Sequence, residues 1–507
     1  MQWLNDLVER VIKEVPEEEI IVSSGVSPSG KYHLGTLREV LTAEVIVREL
    51  KHLGKKAKHI HFVDDLDALR KIPTGISEDF QKYLGQSLYL VPSPQTGYRS
   101  YAEYYLSDLQ NAAGVLNLEF EIRRSHVEYK NGYFSPAIEL SLKNLEQIRN
   151  ILENISGHKL GTEWSPIQIN EDGYLKKRHF LNIDEETKQI SYKDKDGKKR
   201  EIIYAGGEVK LDWRIDWPAR WWLLGVNVEP FGRDHASAGG SYETGVRIVK
   251  EIFGCDPPIP VPYDFINRTG ETKKMSKSAG ETVDLEKLLK ILPAEIVWYF
   301  VIRYEPAKQL FFDEEAGVVK LIDEFAELIS KKNKTAAEKQ LLRLCTQGLE
   351  PTISQIPFSL LVSSYQAALK DIDKTIEIIS RSEHSGKIDR KLIAKELQYI
   401  DGWLEYWAPD EVKFSLRENV NQSEFTTQQK SYFMKLAYEI ENAPKDADGE
   451  WFHKAIYGFK ESGEVSTEDL FKPLYKLLIG KTYGPRIGWF ISILPKKWLV
   501  RRLMLEG

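Results

Sequence analysis

An α/β fold, with a small inserted α+β subdomain and an all-α domain after it, is what this sequence predicts. Three observations lead there. In the first three hundred residues, apolar runs rich in β-formers alternate with segments of helical period, the pattern of a parallel sheet covered by helices. From about Pro92 to Gly207 that rhythm breaks, and beyond about Glu305 strand signals nearly vanish while amphipathic segments run to the end. A chain of 507 residues with 42% hydrophobic content is long enough for more than one core.

Met1 to Glu19 reads as a helix with Trp3, Leu4, Leu7, Val8 and Val11 on one side, and its acidic crowding is unlike a signal or transit peptide. A strand at Glu19 to Ser24 leads through Gly25-Val26-Ser27-Pro28-Ser29-Gly30 into a helix from Thr36 to Leu53. A second strand, Lys58 to Val63, ends in Asp64-Asp65. This βαβ unit carries its loop at the carboxyl edge of the sheet, where doubly wound, Rossmann-type sheets bind ligands. The insertion holds a long helix near Pro136 to Ile155, then short strands around Phe180 to Tyr204 with polar turns such as Asp194 to Lys199. The alternation resumes at Val228 to Gly232, continues through a helix near Ala236 to Phe253 and reaches a lysine-rich loop, Glu271 to Gly280. Helices follow, Asp313 to Lys331 and Asp389 to Trp407 among them. The expected domains are 1–305, interrupted at about 92–207, and 306–507.

No apolar run approaches the roughly 20 residues that cross a bilayer, so no membrane partner and a cytoplasmic location are expected. Cys255 and Cys345 are the two cysteines, with no metal-ligand spacing around either. A net charge of −6 offers no global attraction to a polyanion, so nucleic acid needs local basic surfaces, and DNA is not expected.

Two segments carry chemistry. Pro28-Ser29-Gly30-Lys31-Tyr32-His33-Leu34-Gly35 joins a strand to a helix. Free amides and the helix dipole at such a start favour phosphate, Gly30 and Gly35 admit a close backbone, and His33 can donate to a phosphate oxygen. Alone, the segment serves equally well as a plain strand-to-helix turn. Lys274-Met275-Ser276-Lys277-Ser278 places two ammonium groups three residues apart, able to neutralise charge as pyrophosphate departs. Alone, it reads as a solvated loop. Together, at opposite ends of one predicted sheet domain, the two should meet at the same carboxyl edge.

The pair resembles the HIGH and KMSKS signatures of class I aminoacyl-tRNA synthetases. Ser24 to Gly30, Phe62-Val63-Asp64-Asp65-Leu66-Asp67, Arg70 to Pro73, Asp212 to Trp221, Glu229 to His235 and Tyr483 to Phe490 are similar to the class I lysyl-tRNA synthetases, over nearly the whole chain. The resemblance implies that lysine is adenylated by ATP with magnesium and then transferred to the 3′ end of tRNA(Lys). It implies that His33, Lys274 and Lys277 act on the phosphates and that Pro28, Ser29, Gly30, Tyr32, Leu34, Gly35, Met275, Ser276 and Ser278 complete the ATP site. By the same resemblance Gly25, Ser27, Trp213, His235 and Tyr263 line the lysine pocket, and the helical domain reads the anticodon through unstacked bases.

A lysine ammonium that loses water needs a carboxylate or an aromatic face. Asp64, Asp65 and Trp213 are candidates; the two aspartates serve as well as a helix cap or a magnesium-side contact. Trp217, Trp221 and Trp222 read as core. His235, after a glycine and an aspartate at a strand end, suits a ribose or substrate contact, or a helix cap.

One departure from the family is plain. Its members often carry paired cysteines in the insertion as a zinc ribbon, whereas Trp164 to Gly207 has none, so no zinc is expected and Phe180, Ile190, Tyr192, Ile202 and Tyr204 should hold the hairpin by packing. A glutamyl-type synthetase shares both signatures, but the Ser24 to Gly30 turn offers no arginine for a substrate carboxylate. A different nucleotidyl transferase of the same fold would explain the first motif but not Lys274 to Ser278 or the long helical tail, and a non-catalytic tRNA-binding relative is the third alternative, against which intact His33, Lys274 and Lys277 weigh. The sequence does not reveal oligomeric state, for which a monomer is the default.

Overall fold

The computed structural model describes residues 1–161, 163–270, 283–461, 467–484 and 486–506. The chain divides into two compact units, Met1–Leu289 with Val297–Phe312 and Ala336–Gln347, and the remainder.

The first unit opens with α1 (Gln2–Glu14), whose Leu4, Val8 and Val11 recur at helical spacing and are buried. Its centre is a parallel sheet of β1 (Glu19–Val26), β2 (Lys56–Val63) and β3 (Phe120–Arg124), then, after the inserted strands, β10 (Val228–Gly232) and β11 (Ile259–Tyr263). The spatial order is β11-β10-β1-β2-β3, with every neighbour parallel. Successive strands run outward from β1 in one direction and resume on its other side, so the order reverses between β1 and β10. The crevice beyond the carboxyl ends of those two strands is the switch point where such sheets bind ligands. Helix α2 (Leu34–His52), which crosses from β1 to β2, is buried along most of its length.

The helices between β2 and β10 are α3 (Tyr101–Leu116), α4 (Ser125–Lys130), α5 (Ser135–Lys143), α6 (Leu145–Ser156) and α7 (Trp213–Leu224). The inserted strands form two antiparallel three-stranded sheets. One joins β4 (Ile167–Glu171), β5 (Tyr174–Lys177) and β9 (Val209–Leu211); the other joins β6 (His179–Asp184), β7 (Gln189–Lys193) and β8 (Lys199–Ile203). Ile190, Tyr192 and Tyr204 are buried in the unit's core, with Phe180 and Ile202 packed against them. Among the described residues, no group of three or more His, Cys, Asp or Glu side chains is arranged to hold a metal ion. Among them, too, no helix is long and apolar enough to cross a membrane.

Three expectations are corrected. The insertion cannot begin at 92, because β3 pairs with β2 in the parallel sheet. The long helix Pro136 to Ile155 is two helices, broken at Asn144, whose backbone leaves helical geometry (φ −106°, ψ 26°) while its main-chain N–H and side-chain amide both donate to the Leu140 carbonyl, at 3.1 and 2.8 Å. The helical domain does not take everything after 306, since Ala336–Gln347 belongs to the first unit. There Arg343 pairs with Glu49, and the Gln347 amide donates to the Leu116 carbonyl at 3.0 Å. The second unit packs around its own apolar cluster, which includes Phe433, Leu436, Leu470, Leu474 and Phe490.

Candidate active site

At the switch point lie two cavities with a shared wall of Gly25, Val26, Glu39, Tyr263 and Phe265. The larger, about 470 Å³, reaches from the end of β1 to the residues after β10. Of the residues assigned to lysine from sequence, Gly25, Ser27, Asp64, Trp213, His235 and Tyr263 line it. Asp65 does not. Its carboxylate is fully buried and accepts from Arg124 Nε, Ser125 Oγ and the His126 amide and ring, so it fastens the start of α4 to the end of β2.

The smaller cavity, about 180 Å³, is lined by His33, Gly35, Thr36, His61 and Ile266 besides the shared wall. Gly35 and Thr36 form the first turn of α2, and His33 is its N-cap. A helix start facing a cavity is suited to an anion. Pro28, Ser29, Gly30, Tyr32 and Leu34 do not face either cavity; Tyr32 and Leu34 are buried beneath the turn, and the Ser29 carbonyl accepts from Tyr101 Oη at 3.2 Å. Lys274, Met275, Ser276, Lys277 and Ser278 lie outside the described residues. The chain on both sides of them is described and adjoins this cavity. Ile266, in β12 (Ile266–Arg268), lines it, and Val283 accepts from the Leu34 amide at 3.1 Å while Asp284 bridges to His33.

Glu39 holds the shared wall together. One carboxylate oxygen accepts from the Gly25 amide at 2.7 Å and the other from Tyr263 Oη at 2.7 Å, tying β1 to β11 across the switch point. Gly25 is needed here for space, since a Cβ would stand 3.2 Å from the Phe62 carbonyl oxygen. Asp64 is held by both terminal nitrogens of Arg220, which also pairs with Asp216 one turn away on α7. Lys210, buried, lies 3.1 Å from Asp67 and 3.9 Å from Asp216. Burial nonetheless pushes the Asp64 carboxyl up to about 6, against Arg220. Glu229 goes further. Burial pushes it up to about 8, although the Trp217 and Trp221 indoles both donate to its carboxylate. Trp213, Trp217, Phe231 and Phe265 supply the aromatic lining.

Beneath the smaller cavity runs a buried polar chain. Ser24 Oγ is 2.7 Å from His59 Nε2 and 2.8 Å from His61 Nδ1, and His59 Nδ1 is 3.0 Å from Glu44. Burial pushes Glu44 up, but His59 and Arg48 outweigh it and hold the carboxyl below its usual range.

Sequence reasoning missed Glu39, Arg220 and this chain. The Asp216/Arg220 spacing of four on a helix was a legible signal. Glu39 carried none, being one acidic residue among several on α2.

A switch-point cavity opening at a histidine turn, beside a cavity walled by carboxylates and aromatics, fits an activating enzyme of the class I synthetase kind. A family model described as tRNA synthetases class I (K) matches residues 1–347, and the chain belongs to that family. It is 34% identical to the lysine–tRNA ligase of Archaeoglobus fulgidus over 99% of both chains. Against lysine–tRNA ligase 1 of Methanosarcina acetivorans it is 34% identical, over 99% of this chain and 98% of that one. Against the lysine–tRNA ligase of Thermococcus kodakarensis it is 31% identical over the whole of both.

Proposed function

We propose that this protein is a lysine–tRNA ligase acting on L-lysine, ATP with magnesium, and tRNA(Lys). The carboxylate of lysine attacks the α-phosphate of ATP, forming lysyl-adenylate and releasing pyrophosphate. The terminal ribose hydroxyl of tRNA then attacks the anhydride carbonyl and releases AMP. Neither step needs a protein nucleophile, so the chain contributes positioning and charge stabilisation.

The observation that carries this reading is the acidic, aromatic wall of the larger cavity, which adjoins the nucleotide cavity through Glu39 and Tyr263. An ammonium that sheds its water meets Glu39, Asp64 and Glu229 there, with Trp213 and Trp217 as aromatic faces. In this assignment Gly25, Ser27, Trp213, His235 and Tyr263 bind lysine, His33 and Gly35 bind ATP phosphates, and Lys274 and Lys277 neutralise the leaving pyrophosphate. The main-chain bond from Leu34 to Val283, the first described residue after that lysine-rich segment, supports this reading.

Anticodon reading falls to the C-terminal helical region. Tyr483 and Trp489 are about half exposed there, with Lys496, Lys497 and Arg501 exposed nearby, whereas Tyr475, Phe490 and Arg502 are buried in packing. The reading carries with it a cytoplasmic location, where translation consumes the product.

Amino-acid-dependent exchange of labelled pyrophosphate into ATP, run with all twenty amino acids, tests it. Lysine should support exchange well above the rest. Exchange driven by glutamate or another amino acid instead, or by none, would overturn the assignment.

A further inference from the structure

The histidine turn passes through Gly30, a residue that imposes no conformation of its own. What fixes the turn must come from outside it. On one side the Leu34 amide donates to the Val283 carbonyl at 3.1 Å, and Asp284 bridges to His33. On the other side stands α3, from which Tyr101 and Asp108 take hold of the turn's main chain.

Tyr101 and Asp108 are seven positions apart, two helical turns, so they lie on one face of α3. Tyr101 is fully buried, and its Oη donates to the Ser29 carbonyl at 3.2 Å. Its hydroxyl hydrogen is committed to that bond, because Tyr105, one turn along, donates its own to Tyr101 Oη. Asp108 accepts from the Tyr32 main-chain N–H and faces the Lys31 ammonium. The two bonds fall on either side of Gly30, at residues 29 and 32, with His33 next in the chain. Neither Tyr101 nor Asp108 lines either cavity of the switch point. The helix that carries them is firmly seated. Ser100 caps it by accepting from the Glu103 amide at 3.2 Å, the Tyr101 amide donates to the Val91 carbonyl at 2.8 Å, and Leu106, Leu109 and Leu116 are buried.

We propose that Tyr101 and Asp108 are positioning residues for ATP, gripping the main chain at Ser29 and Tyr32 so that His33 and the first amides of α2 are held where they meet the phosphates. The inference rests on the ligase reading above and deepens its first step. A carboxylate accepts from an amide more strongly when it is ionised. Burial raises the Asp108 carboxyl to about 6, and Asp284 and Glu286 add to the rise, although Lys31 and the Tyr32 N–H oppose it. Tyr104 and Tyr105 of α3 and the Tyr32 phenol also face this carboxyl. Above pH 6 the ionised form grips Tyr32, and below it the grip slackens as the proton arrives.

The test separates ATP from lysine. Lysine-dependent pyrophosphate exchange by the full chain gives the constants for each substrate, and urea unfolding checks that every variant folds. Asp108→Ala should lower kcat/KM for ATP about tenfold, the low end for a lost hydrogen bond to a charged group, while KM for lysine stays within about twofold. Tyr101→Phe, which removes one oxygen, should lower kcat/KM for ATP roughly threefold. Asp108→Asn keeps a carbonyl acceptor for Tyr32 but never ionises. Its kcat/KM for ATP should match that of the wild type at pH 5 and fall several-fold short of it at pH 8.

A ratio of wild type to Asp108→Asn that stays constant from pH 5 to 8 would overturn the proposal, as would a KM for lysine that rises as far as kcat/KM for ATP falls, or variants that behave as the wild type does. Absence of lysine-dependent exchange in the wild type would instead sink the ligase reading. Calorimetric titration of ATP into the wild type and Asp108→Ala would then decide the grip: about tenfold weaker binding by the variant supports it, and equal affinity overturns it.

Discussion

Replacing Glu229 with glutamine should make the protein more stable than the wild type at pH 8, and the advantage should disappear near pH 4.5. In the native state burial pushes this carboxyl from 4.5 to about 8. The unfolded chain therefore releases the proton near pH 4.5 and the native chain near 8. Between those values the native state holds more protons, so raising the pH favours unfolding. At about 1.4 kcal/mol per pH unit, that window is worth about 5 kcal/mol of stability lost by the wild type.

Glutamine keeps the shape, and its carbonyl can still accept from the Trp217 and Trp221 indoles that now donate to Glu229 Oε2. It removes only the titration. Urea unfolding of both proteins at pH 5, 6.5 and 8 measures the effect as the difference between them. Other raised carboxyls, Asp64 and Asp108 at about 6 and Glu396 at about 7, cancel in that difference. A difference that stays constant across the three pH values would refute the reasoning, because it would mean that Glu229 is ionised in the native state throughout.

Three more outcomes are expected. Gly25→Ala places a methyl 3.2 Å from the Phe62 carbonyl oxygen and in the wall shared by both cavities, so the KM for lysine in pyrophosphate exchange should rise roughly tenfold. Ser24→Ala cuts the link between His59 and His61; it should cost about 1–3 kcal/mol in urea unfolding and raise the KM for ATP several-fold with that for lysine unchanged, since His61 faces only the smaller cavity. Lys277→Ala should slow adenylate formation in single-turnover experiments far more than it weakens lysine binding, because its contact strengthens as charge moves onto the leaving pyrophosphate; equal losses would contradict that role.

The sheet and the histidine turn were legible because each is a local pattern: Glu19–Val26 is an apolar run closed by glycine and proline signals, and α2 begins within two residues of its expected start. β3 was missed because an edge strand half-exposed to solvent, Phe-Glu-Ile-Arg-Arg, lacks the continuous apolar character of its buried neighbours. The break at Asn144 is a departure of one residue's backbone from helical geometry, which helical period does not register. Adjacent aspartates diverged for a tertiary reason. Asp64 meets Arg220, 156 residues on, at the cavity, while Asp65 turns back to Arg124 and His126. Charge pairing of this kind has no sequence period, and the same limit hid Glu39, which is held by Gly25 and Tyr263 among others.

These long-range pairings set the charge balance around the larger cavity. Arg220 and Lys210 balance Asp64, Asp67 and Asp216 incompletely, since three carboxylates face two cations in a buried cluster. Burial raises Glu229 to about 8, with Glu39 adding to the rise, although the Trp217 and Trp221 indoles and Arg220 offset part of its charge. An ammonium entering the cavity supplies the missing positive charge, draws Glu229 toward ionisation and gains affinity as pH rises through the window where the empty site still holds its proton. A substrate carboxylate would keep Glu229 protonated instead. The burial that raises Glu229 and lowers the stability of the empty protein at pH 8 is thus a cost that a bound ammonium can offset and a bound carboxylate cannot.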